Sequence, residues 1–208
     1  MKPSKHVMTE SLPVATGDLL VRAWRKEDID RFAGWPMYDS PFESFNEVFQ
    51  LRFAGMSAGE RDALFGERER LEDRVTLVAD HASQPAIAYL ALVEIDWAAG
   101  AVGNMAYRVE PTWCGRGVGT RVLSAVTSHF FRHGFRSLRL DVAASNARAI
   151  RCYEKAGFVR AGEFWREDPR LAEVDLDSSE WDFLRPHVRL DGPVPRIRFR
   201  WMEARVER

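Results

Sequence analysis

Cysteine is scarce in this sequence, which has only Cys114 and Cys152 among its 208 residues. Neither belongs to a CxxC pair or to a Cys and His spacing that would bind zinc, and two cysteines are too few for a disulfide framework. The five histidines are His6, His81, His129, His133 and His187. His129 and His133 are four residues apart, but no acid of an HExxH helix lies between them. We therefore expect no metal and a reducing, cytoplasmic location.

Long hydrophobic runs are also missing. The longest apolar run, AIAYLALV from Ala86 to Val93, is far shorter than the roughly 20 residues of a membrane-spanning helix. The first residues, MKPSKHVMTESLPV, lack the apolar stretch of a secretory signal. We expect no membrane association, and we expect residues 1–18 to form a flexible tail before a single domain over residues 19–208.

The sequence has almost no net charge, because 30 Lys and Arg residues are balanced by 31 Asp and Glu residues. A basic surface field that would attract nucleic acid is therefore not expected. Hydrophobic residues make up 46% of the chain and charged residues 29%, which indicates a globular protein with its own core. Neither a nucleic-acid nor a membrane partner is expected, and a homodimer is kept as a candidate assembly.

The first half of the chain has the pattern of one strand followed by helices. LLVRAW at Leu19–Trp24 is typical of a strand, and KEDIDRFAGWP is typical of a helix that ends at Gly34. Four phenylalanines recur at helical spacing, which predicts one apolar helical face: Phe42, Phe45, Phe49 and Phe53. Asp39, Glu43 and Glu47 would form the acidic solvent face of this helix or, alternatively, attract a cationic amine. GERERLEDR predicts a further, solvated helix.

From Val75 the hydrophobic period becomes that of strands. VTLVAD, AIAYLALVEID and GNMAYRVEP, with turn residues between them, predict an antiparallel meander. A helix follows, with Val118, Val122, Val126 and Phe130 on one stripe. RSLRLDV predicts the next strand, and ARAIRCYEKA a helix that Asn146 caps and Gly157 ends. Two late strands, FVRAGEFWRE and PRIRFRWMEARV, flank a long polar segment.

The segment CGRGVGTRVLSAV places Gly115, Gly117 and Gly119 between a strand and the start of a helix. The first N–H groups of a helix lack intrahelical acceptors and bind anions, and glycine lets the backbone approach a phosphate and adopt positive φ. The loop therefore predicts an anion site, with a tight turn that binds nothing as the alternative. A Walker loop is excluded, because no Lys-Ser or Lys-Thr pair follows the glycines.

A dinucleotide-binding loop is a further alternative. Asp141 follows Gly119 at about the 20-residue spacing of a ribose-binding acid. However, Thr120 occupies the position where that fingerprint needs Gly or Ala, and EPTWC separates the strand from the first glycine. An NAD-binding oxidoreductase is therefore kept as the less favoured functional hypothesis.

VEPTWCGRGVGTRVLSAV followed by LRLDVAASNARAIRCYEKAGF closely resembles the GCN5-related N-acetyltransferase (GNAT) family, whose loop reads R/Q-x-x-G-x-G/A. Asn146–Phe158 matches the family's closing motif nearly throughout, and LLVRAWRKEDIDRFAGW resembles its first strand and helix. The resemblance spans Leu19 to Trp165. It implies a single α/β (α+β) domain with a mixed, mostly antiparallel sheet that splays at the coenzyme site and is flanked by helices.

The resemblance also implies acetyl-CoA as co-substrate, with its pyrophosphate bound by main-chain donors. The loop residues it assigns are Gly115, Arg116, Gly117, Val118, Gly119 and Thr120. Strand N–H groups near Val109 are expected to stabilise the tetrahedral oxyanion. Cys114 departs from the family's Arg or Gln, and as the only nearby cation is Arg116, no nucleophilic role is expected for it. Asn146 is expected to cap its helix, to bond the pantetheine arm, or to do both.

Tyr153 lies where the family has the tyrosine that meets the departing sulfur as hydrogen-bond donor or general acid. Core packing is the alternative, because Ile150, Tyr153 and Gly157 fall at helical spacing. Glu94 and Glu110 are the candidates for the base that accepts the amine proton, with ordinary exposed carboxylates or a water chain as alternatives. Asp141 is expected to face solvent or to tether a loop, and it is left out of the predicted site.

These features predict an N-acetyltransferase that transfers the acetyl group of acetyl-CoA to a primary amine by direct attack in a ternary complex. The acceptor is expected to be a small-molecule or peptide amine, such as a peptide, a polyamine or an antibiotic. The alternatives are a non-catalytic acyl-CoA-binding sensor, in which Tyr153 and a base would be dispensable, and the NAD-binding oxidoreductase.

Overall fold

The structure is a computed structural model that describes residues 3–38 and 49–206. The elements are α1 Lys5–Glu10, β1 Val14–Thr16, β2 Leu19–Ala23, α2 Lys26–Ala33, α3 Leu51–Ala54, α4 Ala58–Arg70, β3 Val75–His81, β4 Gln84–Asp96, β5 Ala101–Val109, α5 Val118–Arg132, β6 Ser137–Ala143, α6 Ala147–Lys155, β7 Val159–Glu167, β8 Val188–Arg189 and β9 Arg196–Arg205. From β2 onward, helices come first and are followed by three consecutive strands and then by α5, β6, α6 and the late strands, which is the order that the hydrophobic periods predict.

The strands form one sheet in the spatial order β1-β2-β3-β4-β5-β6-β9-β7, with β8 added against β9. Among the described strands, β5 and β6 are the one parallel pair. They pair only at Ala101 with Ser137 and at Val102 with Leu138, so they separate beyond these positions. The predicted fold class, a mixed and mostly antiparallel sheet that splays, is confirmed. A doubly wound parallel sheet, which the dinucleotide reading requires, is not what these strands form.

Helix α5 covers one face of the sheet with the apolar stripe that its sequence predicts. The stripe residues Val118, Val122, Val126 and Phe130 are all at most 2% exposed. They join Leu138 and Leu140 of β6 in the main core cluster. This packing fixes the start of α5, and with it the glycine loop, beside the gap between β5 and β6.

The opposite face of the sheet is covered by α2, α3 and α4. Its core is aromatic, with Phe32, Trp35, Phe49, Phe53 and Tyr89 all buried. α3 is a single turn, Leu51–Ala54, so the four-phenylalanine face is described only at Phe49 and Phe53. Phe42 and Phe45 lie outside the described residues, as do Asp39, Glu43 and Glu47.

The N-terminal residues are packed against the domain. Met8 of α1 is 1% exposed within the main core cluster, and β1 extends the sheet by pairing with β2. The Oγ atom of Ser11 lies 2.9 Å from Nε2 of the buried His129. The expectation of a flexible tail is therefore not met between residues 3 and 18.

The polar segment between β7 and β9 contains short 3₁₀ turns and the two-residue strand β8, none of which the sequence pattern predicts. Leu171, Leu184 and Ile197 form a small separate core here. Asp168 begins the segment, buried and paired with Arg170 at 2.6 Å. In the described part of the chain, no helix is long and apolar enough to cross a membrane.

Candidate functional site

A cavity of about 520 Å³ lies where β5 and β6 separate. Its walls are β5, the glycine loop, the end of β6 and α6, with Tyr38, Arg166 and Phe199 on one side. The predicted site residues that it brings together are Val109, Gly115, Gly117, Gly119, Thr120, Asn146 and Tyr153. Two predicted loop residues do not line it. Val118 is buried in the core, and the guanidinium of Arg116 lies 5.4 Å from the ring centre of Trp113.

The glycine loop has the backbone that an anion site requires. Gly115 and Gly117 have φ of 77° and 76°, in the left-handed region where a residue with a Cβ atom is strained. A Cβ atom at either position would meet no protein atom within 4 Å, so the space above them is open. The backbone N–H groups of residues 115–120 have no acceptor among the described residues. They are free to bind an anion at the start of α5.

A second set of donors comes from the unpaired edge of β5. Glu110 N–H donates to Ile87 O at 2.8 Å, and Val109 is the residue before it, opposite Ala88. Because peptide groups alternate in direction along an antiparallel ladder, the Val109 N–H is directed away from β4 and toward the gap. The carbonyl of Val109 shows the same orientation, since it accepts a hydrogen bond from the Tyr38 hydroxyl.

The start of α5 is held against β5 and α6 by close contacts. The Tyr107 hydroxyl donates to Gly119 O at 2.9 Å, and the Thr120 Oγ1 atom lies 3.6 Å from the Cys152 Sγ atom. Burial raises the pKa of both the Tyr107 phenol and the Cys152 thiol. The Cys152 thiol is therefore neutral at neutral pH, which makes it a packing group rather than a nucleophile.

Tyr153 reaches the cavity from α6. This helix begins at Asn146, whose side chain accepts from Ala149 N–H at 3.0 Å, so the predicted cap is present. Tyr153 is 8% exposed, and burial raises its pKa to about 12 against the opposing effect of the Arg108 charge. Its hydroxyl makes no hydrogen bond to any described residue. The phenol is thus protonated at neutral pH and available to a ligand.

Neither carboxylate predicted as a base lines the cavity. Glu94 has φ of 55° at an irregularity in the β4 ladder, where its side chain is exposed and lies over Gly103. Glu110 is 3% exposed, and its carboxylate accepts from the Thr112 hydroxyl at 2.6 Å. The structure therefore places Glu94 within β4 and Glu110 just after β5, both outside the cavity wall.

Asp141, which the sequence analysis leaves out, is the carboxylate that lines the cavity among the described residues. Its side chain is 13% exposed. It accepts from Asn104 Nδ2 at 2.9 Å and from Arg166 at 2.7 Å. The expectation that Asp141 lies outside the site is corrected. The sequence RLDV could have indicated this position. Asp141 lies between Leu140 and Val142, and because side chains alternate along a strand, it faces away from α5.

The cavity wall is rich in cations that the sequence analysis does not single out. They are Arg108, Arg148, Arg151, Lys155 and Arg166. The guanidinium of Arg166 stacks over Phe199 with 3.9 Å to the ring centre, which joins β7 and β9 to the site. No group of three or more His, Cys, Asp or Glu side chains that could hold a metal occurs in residues 3–38 and 49–206.

A family model matches this arrangement of loop, sheet and helix. The model described as "Acetyltransferase (GNAT) family" covers residues 37–158. The chain belongs to this acetyltransferase family. The resemblance drawn from the loop and closing motif is therefore confirmed.

Solved structures with the same fold include other acetyltransferases. A spermidine N-acetyltransferase from Vibrio cholerae, in complex with CoA and spermine, has a TM-score of 0.64 at 18% identity and covers 91% of this chain and 96% of its own. A GNAT-family acetyltransferase from Streptococcus pneumoniae has a TM-score of 0.59 at 15% identity, over 91% of this chain and 99% of its own. At such identities the likeness establishes the fold alone.

Two curated relatives are similar over a short segment. A kanamycin resistance protein from Rhizobium radiobacter is 45% identical over 49 residues, which is 23% of this chain and 45% of the relative. An aminoglycoside N(6')-acetyltransferase type 1 from Klebsiella pneumoniae has the same identity over the same length, 24% of its own sequence. The chain thus matches less than half the length of these relatives.

Proposed function

We propose that this protein is an N-acetyltransferase that transfers the acetyl group of acetyl-CoA to a primary amine by direct attack in a ternary complex. The observation that carries the proposal is one cavity whose wall contains both the glycine loop, at Gly115, Gly117, Gly119 and Thr120, and the protonated Tyr153. An anion site alone would fit many nucleotide ligands. Combined with a buried proton donor and membership of this family, it fits a coenzyme whose sulfur is a leaving group.

The glycine loop is proposed to hold the coenzyme pyrophosphate through its main-chain donors. The positive φ of Gly115 and Gly117 and the open space above them fit a close phosphate approach. Arg151 and Lys155 of α6 line the same cavity and would add positive charge for the remaining phosphate. Asn146 would bond the pantetheine arm with the capacity that its capping bond leaves.

In the proposed reaction, the neutral amine nitrogen forms a bond to the thioester carbonyl carbon, and the carbonyl oxygen becomes negatively charged. The Val109 N–H, directed into the gap, would donate to this oxygen. When the C–S bond breaks, Tyr153 gives its proton to the sulfur. The proton released by the amine nitrogen restores the phenol through water. No covalent bond to the enzyme is formed.

We propose a water chain, not Glu94 or Glu110, for removal of the amine proton, because neither acid lines the cavity. An alkylammonium with a pKa near 10 must lose this proton before attack. Asp141 would bind the acceptor as its ammonium form at the edge of the reaction centre. Its two bonds to Asn104 and Arg166 leave further lone pairs for this contact.

An acyl-CoA sensor is the competing function, and thiol release distinguishes it from an enzyme. The protein is incubated with acetyl-CoA and a panel of amines, peptides and aminoglycosides, and free thiol is followed against a control without acceptor. The proposal requires release that depends on the acceptor and disappears when acetyl-CoA is omitted. Binding of acetyl-CoA with no release above background for every acceptor would favour the sensor.

A further inference from the structure

On the acceptor side of the cavity, the floor is formed by alternate residues of β5. Asn104, Ala106 and Arg108 alternate along the strand with Met105 and Tyr107, so they project from the face away from α5. Ala106 is exposed and lies opposite Ala91 of β4. The small side chain of Ala106 leaves room above β5, and a ligand lying there would meet Asn104 at one end and Arg108 at the other.

The two ends of this floor differ in chemistry: one has a carboxylate and the other a guanidinium. At one end, Asn104 Nδ2 donates to the carboxylate of Asp141 at 2.9 Å, and Arg166 holds the same carboxylate. At the other end is the Arg108 guanidinium. At about 3.3 Å of rise per residue, the Cα atoms of Asn104 and Arg108 are about 13 Å apart. The acid and the arginine are thus separated by the length of a small molecule.

Arg108 is a cation without a carboxylate partner in residues 3–38 and 49–206. One guanidinium N–H donates to the Tyr107 carbonyl at 3.0 Å, and the other four N–H groups have no acceptor among these described residues. Its neighbour across the strand pair is Tyr89, whose hydroxyl already accepts from Arg68 and Arg74. Within the part of the chain that the structure describes, the neighbours of Arg108 therefore include two further arginines and no carboxylate that pairs with it.

We infer that the acceptor is a zwitterion: a primary amine that also carries a carboxylate or phosphate group, which Arg108 recognises. This inference rests on the proposed function. Arg108 and Asp141 both line the cavity. Burial raises the pKa of Tyr153, the Arg108 charge opposes this shift and the Asp141 charge adds to it, so both ends of the floor lie near the reaction centre. A guanidinium suits planar, bidentate recognition of an anionic group. Asp141 receives the ammonium end.

The same charges disfavour a polycationic acceptor. A second ammonium group placed over the Ala106 floor would approach Arg108, and no carboxylate in residues 3–38 and 49–206 pairs with that arginine to offset the repulsion. The relatives named above are described as acting on spermidine and aminoglycosides, which are polycations. The specificity inferred for this chain differs from theirs, because Arg108 and Asp141 lie at opposite ends of one short floor.

Acceptors that differ only in the charge of their far end test the inference. Alkylamines with chains of two to six methylenes are compared as four series: ω-amino carboxylates, ω-aminoalkyl phosphates, plain amines and diamines. At the best chain length, an anionic series is expected to have the highest kcat/KM and the diamines the lowest. The carboxylate and phosphate arms identify which anionic group is preferred. Diamines as the best acceptors at every length would overturn the inference.

Arg108→Gln supplies the second readout, with Arg132→Gln, a change outside the cavity wall, as matched control. Loss of a charged hydrogen-bonding partner should raise KM for the anionic acceptors about 10- to 100-fold and leave KM for plain amines unchanged. A kcat loss that is equal for all four series would instead assign Arg108 to transition-state stabilisation and refute the specificity role. If the wild type acetylates none of the amines, the proposed function itself is wrong. That result differs both from a selective rise in KM and from a uniform loss of kcat.

Discussion

Gly119 and Cys152 contact each other where α5 begins: a Cβ atom at Gly119 would lie 3.1 Å from the Cys152 Sγ atom. This approach is what allows α5 and α6 to meet beside the glycine loop. Gly119 has an ordinary backbone φ, so an alanine there would be strained by contact and not by conformation. The effect of adding a methyl group therefore depends on whether the thiol can move.

We predict that Gly119→Ala destabilises the protein and that Cys152→Ala removes this cost. Alanine is favoured over glycine in a helix by about 1 kcal/mol. A net loss of stability would therefore have to come from the contact between the new methyl group and the Cys152 Sγ atom. The four proteins form a double-mutant cycle measured by urea unfolding without ligand. The expected coupling energy is about 0.5 kcal/mol or more. Additive effects of the two changes would show that the contact does not restrain the helices.

Tyr153→Phe is expected to lower kcat by about 10²- to 10⁴-fold with little change in acetyl-CoA affinity. The variant keeps the buried ring and loses only the proton donor. Since burial raises the pKa of Tyr153 to about 12, the wild-type phenol is protonated at every pH of an ordinary assay. Its deprotonation should therefore cause no loss of activity below about pH 11.

The measurement is kcat against pH for both proteins, with acetyl-CoA affinity and thermal melting as controls for folding. If the folded variant turns over at the wild-type rate across the pH range, Tyr153 is a packing residue. The core-packing alternative for this position would then be correct.

Sequence patterns predict the longer elements of this fold because each has a clear hydrophobic period. The stripe from Val118 to Phe130 and the alternation of Leu138, Leu140 and Val142 are properties of single segments, and both are buried as predicted. The sequence patterns did not predict that the N-terminal residues are structured. α1 has only six residues, and it is stabilised by the burial of Met8 among core residues that are far away in the sequence. Tertiary contacts decide such short elements.

The same distinction holds for the candidate site. The glycine loop is continuous in sequence, so Gly115 and Gly117 could be assigned from spacing alone. The cluster of Asp141, Arg166 and Phe199 combines three strands, and β9 lies between β6 and β7 only in the folded sheet. Nothing local in the sequence distinguishes Arg166 from the other arginines. Glu94 and Glu110 had suitable chemistry, one within a strand and one just past the end of the next, but position relative to a strand does not indicate which side chains reach a cavity.

His129 is expected to make stability depend on pH. It is 4% exposed, and burial, together with the charges of His133 and Arg132, lowers its pKa to about 4. The unfolded chain binds the proton near pH 6.5. Stability is therefore fully present above pH 6.5 and falls as the pH is lowered toward 4, by on the order of 2 kcal/mol.

Urea unfolding of the wild type and His129→Gln between pH 4 and pH 7.5 measures this contribution, since other titrating groups are common to both proteins. The wild type should lose more stability than the variant between pH 6.5 and pH 4. Identical pH dependence in the two proteins would mean that burial and the neighbouring charges do not hold His129 neutral in the folded protein.

Gly117→Val is expected to abolish most of the thermal stabilisation by acetyl-CoA. A ligand at 100 times its Kd stabilises by about 2.7 kcal/mol, which corresponds to a rise in Tm of about 5 to 11 °C for a chain of this size. Valine at φ of 76° is strained, and its side chain would fill the open space that the phosphate oxygens need. Gly55→Val is the matched control: the site is equally open, φ is −88°, and Gly55 is outside the cavity wall. The control should keep the full rise in Tm. If Gly117→Val melts cooperatively without ligand and still shows the full rise in Tm with acetyl-CoA, the loop is only a turn and the coenzyme binds elsewhere.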